Sequence, residues 1–245
     1  NGKFVPDIER NTNIKGIFVT KNISQKIRSK KIFQIIVSDP KWYFFTLYNY
    51  FTIQNQKTTK SIISSSAIIS PSAIISNKNV KIGSRTIIED GAIILEDVKI
   101  GKDCIIRSGS IVGSNGFEYK RTSKGVLPVK EDGVLYIRDN VEIGANSVIV
   151  KGFSYRNTII GKDTKIDTLV NISHSVHVGN EVFIGSLTAV SGSVTIGNKV
   201  WIGPGSNISN SVNIGRNSEI SIGSNVIKSV PDNQRVFGNP ARIIK

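Results

Sequence analysis

A six-residue repeat runs without a break through residues 158–226. A large aliphatic residue recurs at every sixth position from Ile160 to Val226, and a Thr, Val or Ser stands two residues before each one. This period differs from the 3.6 residues of an amphipathic helix and from the alternation of a simple strand. It fits a short strand with two inward side chains followed by a turn. Three such hexads would form one triangular coil of 18 residues.

Glycine directly follows the large aliphatic residue in half of these hexads. These glycines are Gly161, Gly179, Gly185, Gly197, Gly203 and Gly215. Because glycine tolerates positive φ, we expect it to provide the left-handed residue of each turn. An ordinary β-sandwich would instead need period-2 strands of varying length, and twelve hexads in strict phase do not fit that pattern.

The hexads also extend toward the N-terminus. Inward aliphatic residues recur within 63–75, 82–112 and 137–149, which brings the total to 24 hexads, or about eight coils. The segment 113–133 is polar and out of register. A solenoid accommodates such insertions as loops that leave the stack, often on the binding side. We therefore predict an all-β solenoid, a parallel β-helix, over residues 56–226, with an insertion loop at 113–133.

The repeat is absent from the N-terminal part of the chain. Two apolar segments, 14–20 and 32–37, predict buried strands. Asp39 and Pro40 then predict the start of an aromatic helix, with Asp39 as its N-cap. Residues 1–55 are thus predicted to form a small α+β domain at the N-terminus. Its aromatic side chains either pack on the strands or stack on a base or a sugar.

The tail at residues 227–245 also lacks the repeat. Because the open end of a solenoid exposes its core, we expect this tail to act as a cap. Phe237, Ile243 and Ile244 are the side chains that we expect to pack on the last coil.

The composition restricts the possible partners. The formal net charge is +14, from 32 Lys and Arg against 18 Asp and Glu. Such a charge suits a solvated lysine-rich surface, a phosphate-bearing ligand, an acidic carrier protein, nucleic acid or an anionic membrane. The single cysteine, Cys104, falls in the small inward row and excludes an internal disulfide or a C-x-x-C metal site. We find no signal peptide and no apolar run of membrane-spanning length, and we expect a cytoplasmic protein without stable membrane insertion.

Several segments resemble a known family. GSNGFEY at residues 113–119 is similar to the GSDGFGY-type loop of the UDP-3-O-acylglucosamine N-acyltransferases of lipid A synthesis. IDTLVNISHSV at residues 166–176 resembles their IDN..QIAHNV segment. The strand that runs into residues 38–40 and the aromatic helix resemble the end of their uridine-binding domain. The hexads resemble the left-handed parallel β-helix of the hexapeptide-repeat acyltransferases. Only this resemblance gives the handedness, since the general rule for parallel crossovers is right-handed.

Other segments depart from that family. Residues 150–152 read VKG where the family usually has DRG. The tail contains GNPARII at residues 238–244, which resembles the end of coenzyme-A-dependent sugar acetyltransferases. The family normally has a helical extension there, which closes the trimer and meets acyl carrier protein. The N-terminal domain is also short, so we expect that residues before Asn1 complete it.

The resemblance implies N-acyl transfer from a thioester donor to the amine of a nucleotide-linked amino sugar. His174 matches the family's catalytic histidine and would act as the general base. Gly192, one coil further on, stands at the spacing of the family's oxyanion-hole glycine and would donate its N–H to the thioester oxygen. His177 has no counterpart in the family, and we interpret it as a solvated surface residue.

The same resemblance implies binding residues and partners. Asp167 would contact the acceptor sugar or orient His174. Three residues of the insertion loop are candidate contacts to the acceptor or the acyl chain: Asn115, Phe117 and Tyr119. In the tail, Asn239 and Arg242 would contact coenzyme A phosphates. We expect a homotrimer with active sites between neighbouring β-helices and no permanently bound cofactor. The co-substrate would be the phosphopantetheine of an acyl carrier protein or acetyl-coenzyme A.

Other functions remain open. The tail favours an acetyl-coenzyme-A-dependent sugar acetyltransferase of surface-polysaccharide or glycan synthesis. A non-catalytic basic β-helix would be supported by steep salt dependence of nucleic-acid binding, although we expect no nucleic-acid partner. A γ-type carbonic anhydrase on the same fold needs three metal-binding histidines. The sequence has only two, His174 and His177, so we expect no metal site.

Overall fold

The computed structural model describes residues 2–244 and divides into two compact units. The N-terminal unit combines residues 2–56 with residues 117–130, and the second unit combines residues 57–116 with the remainder, 131–244. No helix among these residues is long and apolar enough to cross a membrane.

The second unit is a parallel β-helix, as the hexads predict. Its strands, most of them only a residue pair, stack in three parallel ladders, and each coil adds one strand to each ladder. The first ladder comprises Ile62–Ile63, Lys81–Ile82, Val98–Ile100, Leu135–Ile137, Thr158–Ile160, His177–Val178, Thr195–Ile196 and Asn213–Ile214. The second comprises Ile68–Ile69, Ile87–Ile88, Ile105–Ile106, Glu142–Ile143, Lys165–Ile166, Phe183–Ile184, Trp201–Ile202 and Glu219–Ile220, followed by the hairpin Arg235–Gly238 and Ala241–Ile244. The third comprises Ile74–Ile75, Ile93–Ile94, Ile111–Ser114, Val148–Val150, Asn171–Ile172, Ala189–Val190, Asn207–Ile208 and Asn225–Val226.

The two inward rows form the core for different reasons. The large aliphatic residues of the middle coils, such as Ile106 and Ile172, are fully buried, and each contributes roughly 1.5–3 kcal/mol of burial free energy. The small row includes buried hydroxyls, which need hydrogen-bond partners. Thr86 Oγ1 donates to Gly101 O at 2.8 Å, and Ser110 Oγ donates to Gly144 O at 2.8 Å. The hydroxyl therefore ties one coil to the turn of the next.

The turn glycines are required for a different reason from the one expected. They do not adopt positive φ; the residue two positions later does, as at Asp163 (φ 60°) and Asn217 (φ 54°). A Cβ on Gly203 would lie 2.6 Å from Ile222 N in the following coil, and one on Gly179 would meet Gly197 C at 2.7 Å. Glycine is needed there because the backbones of successive coils approach each other too closely for a side chain.

The N-terminal unit contains three α-helices, α1 (Val5–Arg10), α2 (Lys21–Ser24) and α3 (Pro40–Asn55), after a 3-10 turn at Gly2–Phe4. Two parallel strands, β1 (Gly16–Val19) and β2 (Phe33–Ile36), pair in register. The hairpin Tyr119–Thr122 and Gly125–Pro128 completes it.

Helix α3 begins where the sequence predicts. Asp39 accepts a hydrogen bond from Trp42 N at 3.0 Å, as an N-cap does. Asn49 of this helix holds the hairpin, since its side chain donates to Pro128 O and accepts from Lys130 N, both at 2.8 Å. The expectation that both strands are buried is wrong for β2, where Phe33 is 69% exposed, because the long helix α3 packs on β1.

The tail extends the core rather than merely covering it. Val230 and Val236 are buried and pair with Ile214 and Ile220, so this last turn of the chain is shorter than a regular coil. The expected capping side chains point outward, and Phe237 remains 52% exposed, with Ile243 and Ile244 also exposed. In a strand, alternate side chains face opposite sides, so an inward Val236 directs Phe237 to the outside.

Candidate active site

His174 lies in the turn that follows the third-ladder strand Asn171–Ile172 and is half-buried. Its ring meets the edge of Phe153, with 5.7 Å between centroids and 81° between planes. Ser175 fixes that neighbour, because its hydroxyl accepts from Phe153 N and donates to Phe153 O, both at 3.3 Å. The imidazole is thus held against a defined wall instead of being a freely solvated side chain.

Gly192 occupies the equivalent turn one coil later, after Ala189–Val190, and is buried. The two turns are tied together by Ser193 N, which donates to His174 O at 2.9 Å. A Cβ on Gly192 would lie 2.5 Å from both Cε1 and Nε2 of His174. The imidazole therefore occupies the space that any side chain at position 192 would need.

The amide N–H of Gly192 donates no hydrogen bond within residues 2–244. An N–H held beside an imidazole, without an acceptor from this part of the chain, has the arrangement of a donor to a substrate oxygen. The one-coil spacing, which selected Gly192 in the sequence, corresponds to direct stacking of the two turns.

Glu131 is a neighbour of His174 that the sequence did not single out. Its Oε1 accepts a hydrogen bond from Gly116 N. A Cβ on Gly116 would lie 3.1 Å from this oxygen, 3.3 Å from Val150 Cγ1 and 3.4 Å from His174 Cδ2. Carboxylate and imidazole therefore flank the same small space.

A buried cation lies in the segment next to this space. Lys151 is 4% exposed, and its Nζ lies 3.3 Å from Asp97 Oδ2. Asp97 also accepts from Asn79 Nδ2 at 2.9 Å. Lys151 N donates to Ser114 O at 3.0 Å, which joins the segment to the strand before the insertion. The VKG segment, which departs from the family pattern, therefore forms an ion pair within the solenoid.

Asp167 lies at a different corner of the coil from His174. It follows the second-ladder strand Lys165–Ile166, whereas His174 follows the third-ladder strand, and its Oδ1 accepts from Thr168 N at 2.7 Å. The structure therefore does not place Asp167 where it could orient the imidazole of the same chain.

Asp167 instead lines a groove of about 450 Å³ on the second ladder. Other lining residues are Arg107, Glu142, Lys165, Phe183 and Trp201. Arg107 bridges Glu89 and Glu142 at 2.7 and 2.6 Å. Burial alone would raise the pKa of Glu89, but hydrogen bonds from Arg107 and Ser108 outweigh it and lower that pKa. The groove thus combines two exposed aromatic rings, those of Phe183 and Trp201, with the ion pair of Arg107 and Glu142.

The predicted binding residues of the insertion belong to two different units. Asn115 is exposed beside Gly116, in the second unit. Phe117 and Tyr119 belong to the N-terminal unit, where their exposed rings contact each other at 5.0 Å between centroids.

The tail residues Asn239 and Arg242 lie in the final hairpin. Arg242 lines a cavity of about 390 Å³ together with Lys228, Val230 and Val236. His177 Nε2 lies 3.1 Å from Asn157 O, outside the turn that holds His174. Within residues 2–244, no group of three His, Cys, Asp or Glu side chains has the geometry of a metal site.

The sequence is similar to curated acyltransferases. A family model described as bacterial transferase hexapeptide (six repeats) matches residues 79–114. A UDP-3-O-acylglucosamine N-acyltransferase from Methylobacterium nodulans is 42% identical over 98 residues, which are 40% of this chain and 22% of that protein. One from Rhizobium rhizogenes is 43% identical over 68 residues, which are 28% of this chain and 19% of that protein. The chain therefore spans about a fifth of the length of these curated relatives.

Solved structures cover more of the chain. The UDP-N-acetylglucosamine O-acyltransferase of Moraxella catarrhalis is 30% identical, with a TM-score of 0.63 over 76% of this chain and 72% of that one. The UDP-N-acetylglucosamine acyltransferase of Francisella novicida has a TM-score of 0.64 at 22% identity, over 76% of this chain and 68% of that one. The second likeness shows the fold alone.

Proposed function

Because this chain belongs to the hexapeptide-repeat acyltransferases, we propose that it transfers an acyl group from a thioester to a nucleotide-linked amino sugar. One observation carries this proposal. The His174 ring lies on Gly192, whose N–H has no acceptor within residues 2–244. A base and an oxyanion donor beside each other are what attack on a thioester carbonyl requires.

Each residue has one role in the proposed reaction. His174 removes a proton from the acceptor amine as its nitrogen attacks the thioester carbon. The N–H of Gly192 donates to the carbonyl oxygen as that oxygen becomes anionic. The C–N bond forms, the C–S bond breaks, and the proton on His174 passes to the leaving thiolate.

The relatives support the acceptor class. Their names specify UDP-linked glucosamine derivatives, acylated on nitrogen in one case and on oxygen in another. We infer the amine as acceptor, because the segments around Gly116 and His174 resemble the N-acyltransferases. The donor is then a long-chain acyl group on carrier protein, or acetyl-coenzyme A. The cavity lined by Lys228 and Arg242 favours the latter, because two cations suit the phosphates of coenzyme A.

We also infer a homotrimer, with each active site between two chains. Asp167 and its groove lie at one corner of the coil and His174 at another, because the two residues follow strands of different ladders. A neighbouring β-helix could bring its groove to the His174 corner. Asp167 would then contact the acceptor sugar from the second chain.

An acyl-transfer assay tests the function. It combines a panel of UDP-amino sugars with two donors, acetyl-coenzyme A and 3-hydroxyacyl carrier protein. We expect turnover with one of them, and a loss of at least about 100-fold in His174→Ala, since general base catalysis contributes that much. The variant should keep the circular dichroism and oligomeric state of the wild type. A folded His174→Ala protein with full activity would remove His174 from the mechanism, and an inactive wild type would favour a non-catalytic β-helix.

A further inference from the structure

The carboxylate of Glu131 is fixed on one side of Gly116, and the imidazole of His174 lies on another side of the same residue. One oxygen accepts from Gly116 N, and the other oxygen is buried. The Nδ1 atom of His174 is buried as well. A buried carboxylate oxygen and a buried imidazole nitrogen therefore belong to side chains that flank the same glycine, and a carboxylate near an imidazole favours its charged form.

Other segments of residues 2–244 also lie around the ring. The turn at Gly192 contributes backbone, and the equivalent turn one coil later contributes the side-chain amide of Asn210. In the segment 150–157, Val150 and Phe153 contact this space. Its buried lysine is paired with an aspartate of the solenoid, as described above. Arg156, in the same segment, donates its backbone N–H to Phe153 O at 3.2 Å.

The segment that carries Glu131 has one more acid. Asp132 accepts from Tyr155 N, at 3.0 and 3.3 Å to its two oxygens. Its carboxylate is therefore held by the backbone of the loop at Tyr155, whereas the carboxylate of Glu131 is held by Gly116, the residue that the ring also approaches. These two adjacent carboxylates provide a matched pair for experiment.

We propose that Glu131 is the positioning residue for His174, and this inference rests on the proposed role of His174 as general base. Its negative charge stabilises the imidazolium that forms when His174 takes the proton of the acceptor amine. Its contact with Gly116 also fixes the carboxylate, which keeps the ring over Gly192. The insertion that begins at residue 113 thus contributes to the chemistry as well as to binding.

A histidine titration tests the pair without any need for turnover. The chain has only two histidines, so the full protein labelled in histidine gives two sets of NMR signals, with His177 as an internal control. In Glu131→Gln we expect the pKa of His174 to fall by about one unit or more, because the carboxylate that favours the charged ring is gone. The amide oxygen of glutamine still accepts from Gly116 N, which preserves the fold. The signals of His177 should titrate identically in both proteins.

Asp132→Asn is the matched control, since it removes the same charge one residue away and keeps an acceptor for Tyr155. If His174 titrates in Glu131→Gln as in the wild type, or if Asp132→Asn shifts it equally, the proposal is wrong. In the acyl-transfer assay, Glu131→Gln should lower kcat roughly tenfold with little change in KM, and should move the acid limb of the pH profile downward. A wild type without turnover would overturn the proposed function, and the NMR comparison would still decide whether the two side chains are coupled.

Discussion

A methyl group on Gly192 would occupy the space that the His174 ring now fills. The backbone of Gly192 is not left-handed, so alanine is compatible with it. The Cβ would lie 2.5 Å from Cε1 and Nε2 of the ring, and 3.1 Å from Asn210 Nδ2. All three atoms are at the ends of side chains, so Gly192→Ala should fold with the imidazole displaced.

The geometry sets the size of the effect. Ordinary contacts between such atoms are about 3.5–4.0 Å, so the ring must withdraw by roughly 1 Å. Overpacking of this kind costs about 1–3 kcal/mol in the free energy of unfolding. Misplacement of a catalytic group by about 1 Å can lower the rate roughly 100-fold. Because alanine keeps the N–H, a loss of activity would come from the displaced base and not from a missing donor.

A double-mutant cycle separates this cause from general strain. Urea denaturation would be measured for the wild type, Gly192→Ala, His174→Ala and the double variant. Once the ring is absent, the two atoms closest to the methyl are gone and Asn210 Nδ2 at 3.1 Å is the next, so most of the cost should disappear, giving a coupling energy of about 1–3 kcal/mol. Additive effects of the two substitutions, or full activity in Gly192→Ala, would refute the stacking of ring on glycine.

Two further predictions concern the core and the groove. Arg107→Gln should destabilise the protein by less than about 1 kcal/mol near pH 7. Because folding lowers the pKa of Glu89, its ionised carboxylate contributes to the free energy of unfolding above the ordinary carboxyl pKa. This contribution is lost as the pH falls through the lowered pKa. The difference between Arg107→Gln and the wild type in urea denaturation should therefore shrink toward pH 3. Burial raises the pKa of the Cys104 thiol, so a thiol reagent at pH 8 should modify only the urea-unfolded protein; rapid reaction of the native protein would contradict the burial.

The core of the β-helix could be predicted because the spacing of its buried aliphatic residues can be read directly from the sequence. Burial at a fixed period selects aliphatic residues, so the inward rows follow directly from the hexads. The tail was harder to predict, because a shortened last coil shifts the phase and hides Val230 and Val236. The turn glycines were identified correctly, but the reason predicted for them, positive φ, was wrong. The sequence does not distinguish the two reasons, because close packing of coils and positive φ both select glycine.

The site could be predicted only in part. The phase of the repeat already assigns Asp167 and His174 to different corners, because they follow inward residues of successive hexads. Gly192 could be found from the spacing of one coil. Glu131 could not, because the insertion has no period, and its return to the solenoid next to Gly116 depends on tertiary contacts. The roles of His174 and Gly192 themselves remain predictions until activity is measured.

The discontinuous N-terminal unit has a consequence for how the protein is made. Helix α3 packs on a hairpin that is synthesised only after residues 57–116, and Lys124 of that hairpin places its Nζ 3.8 Å from the Trp42 ring centroid. At about 5–20 residues per second, synthesis from the end of the helix to the end of the hairpin takes roughly 4–15 s. During this time the aromatic helix is complete but lacks the hairpin, while the first coils of the solenoid emerge. For several seconds the nascent chain therefore carries the aromatic side chains of α3 without the hairpin, and exposed apolar surface at that stage favours aggregation.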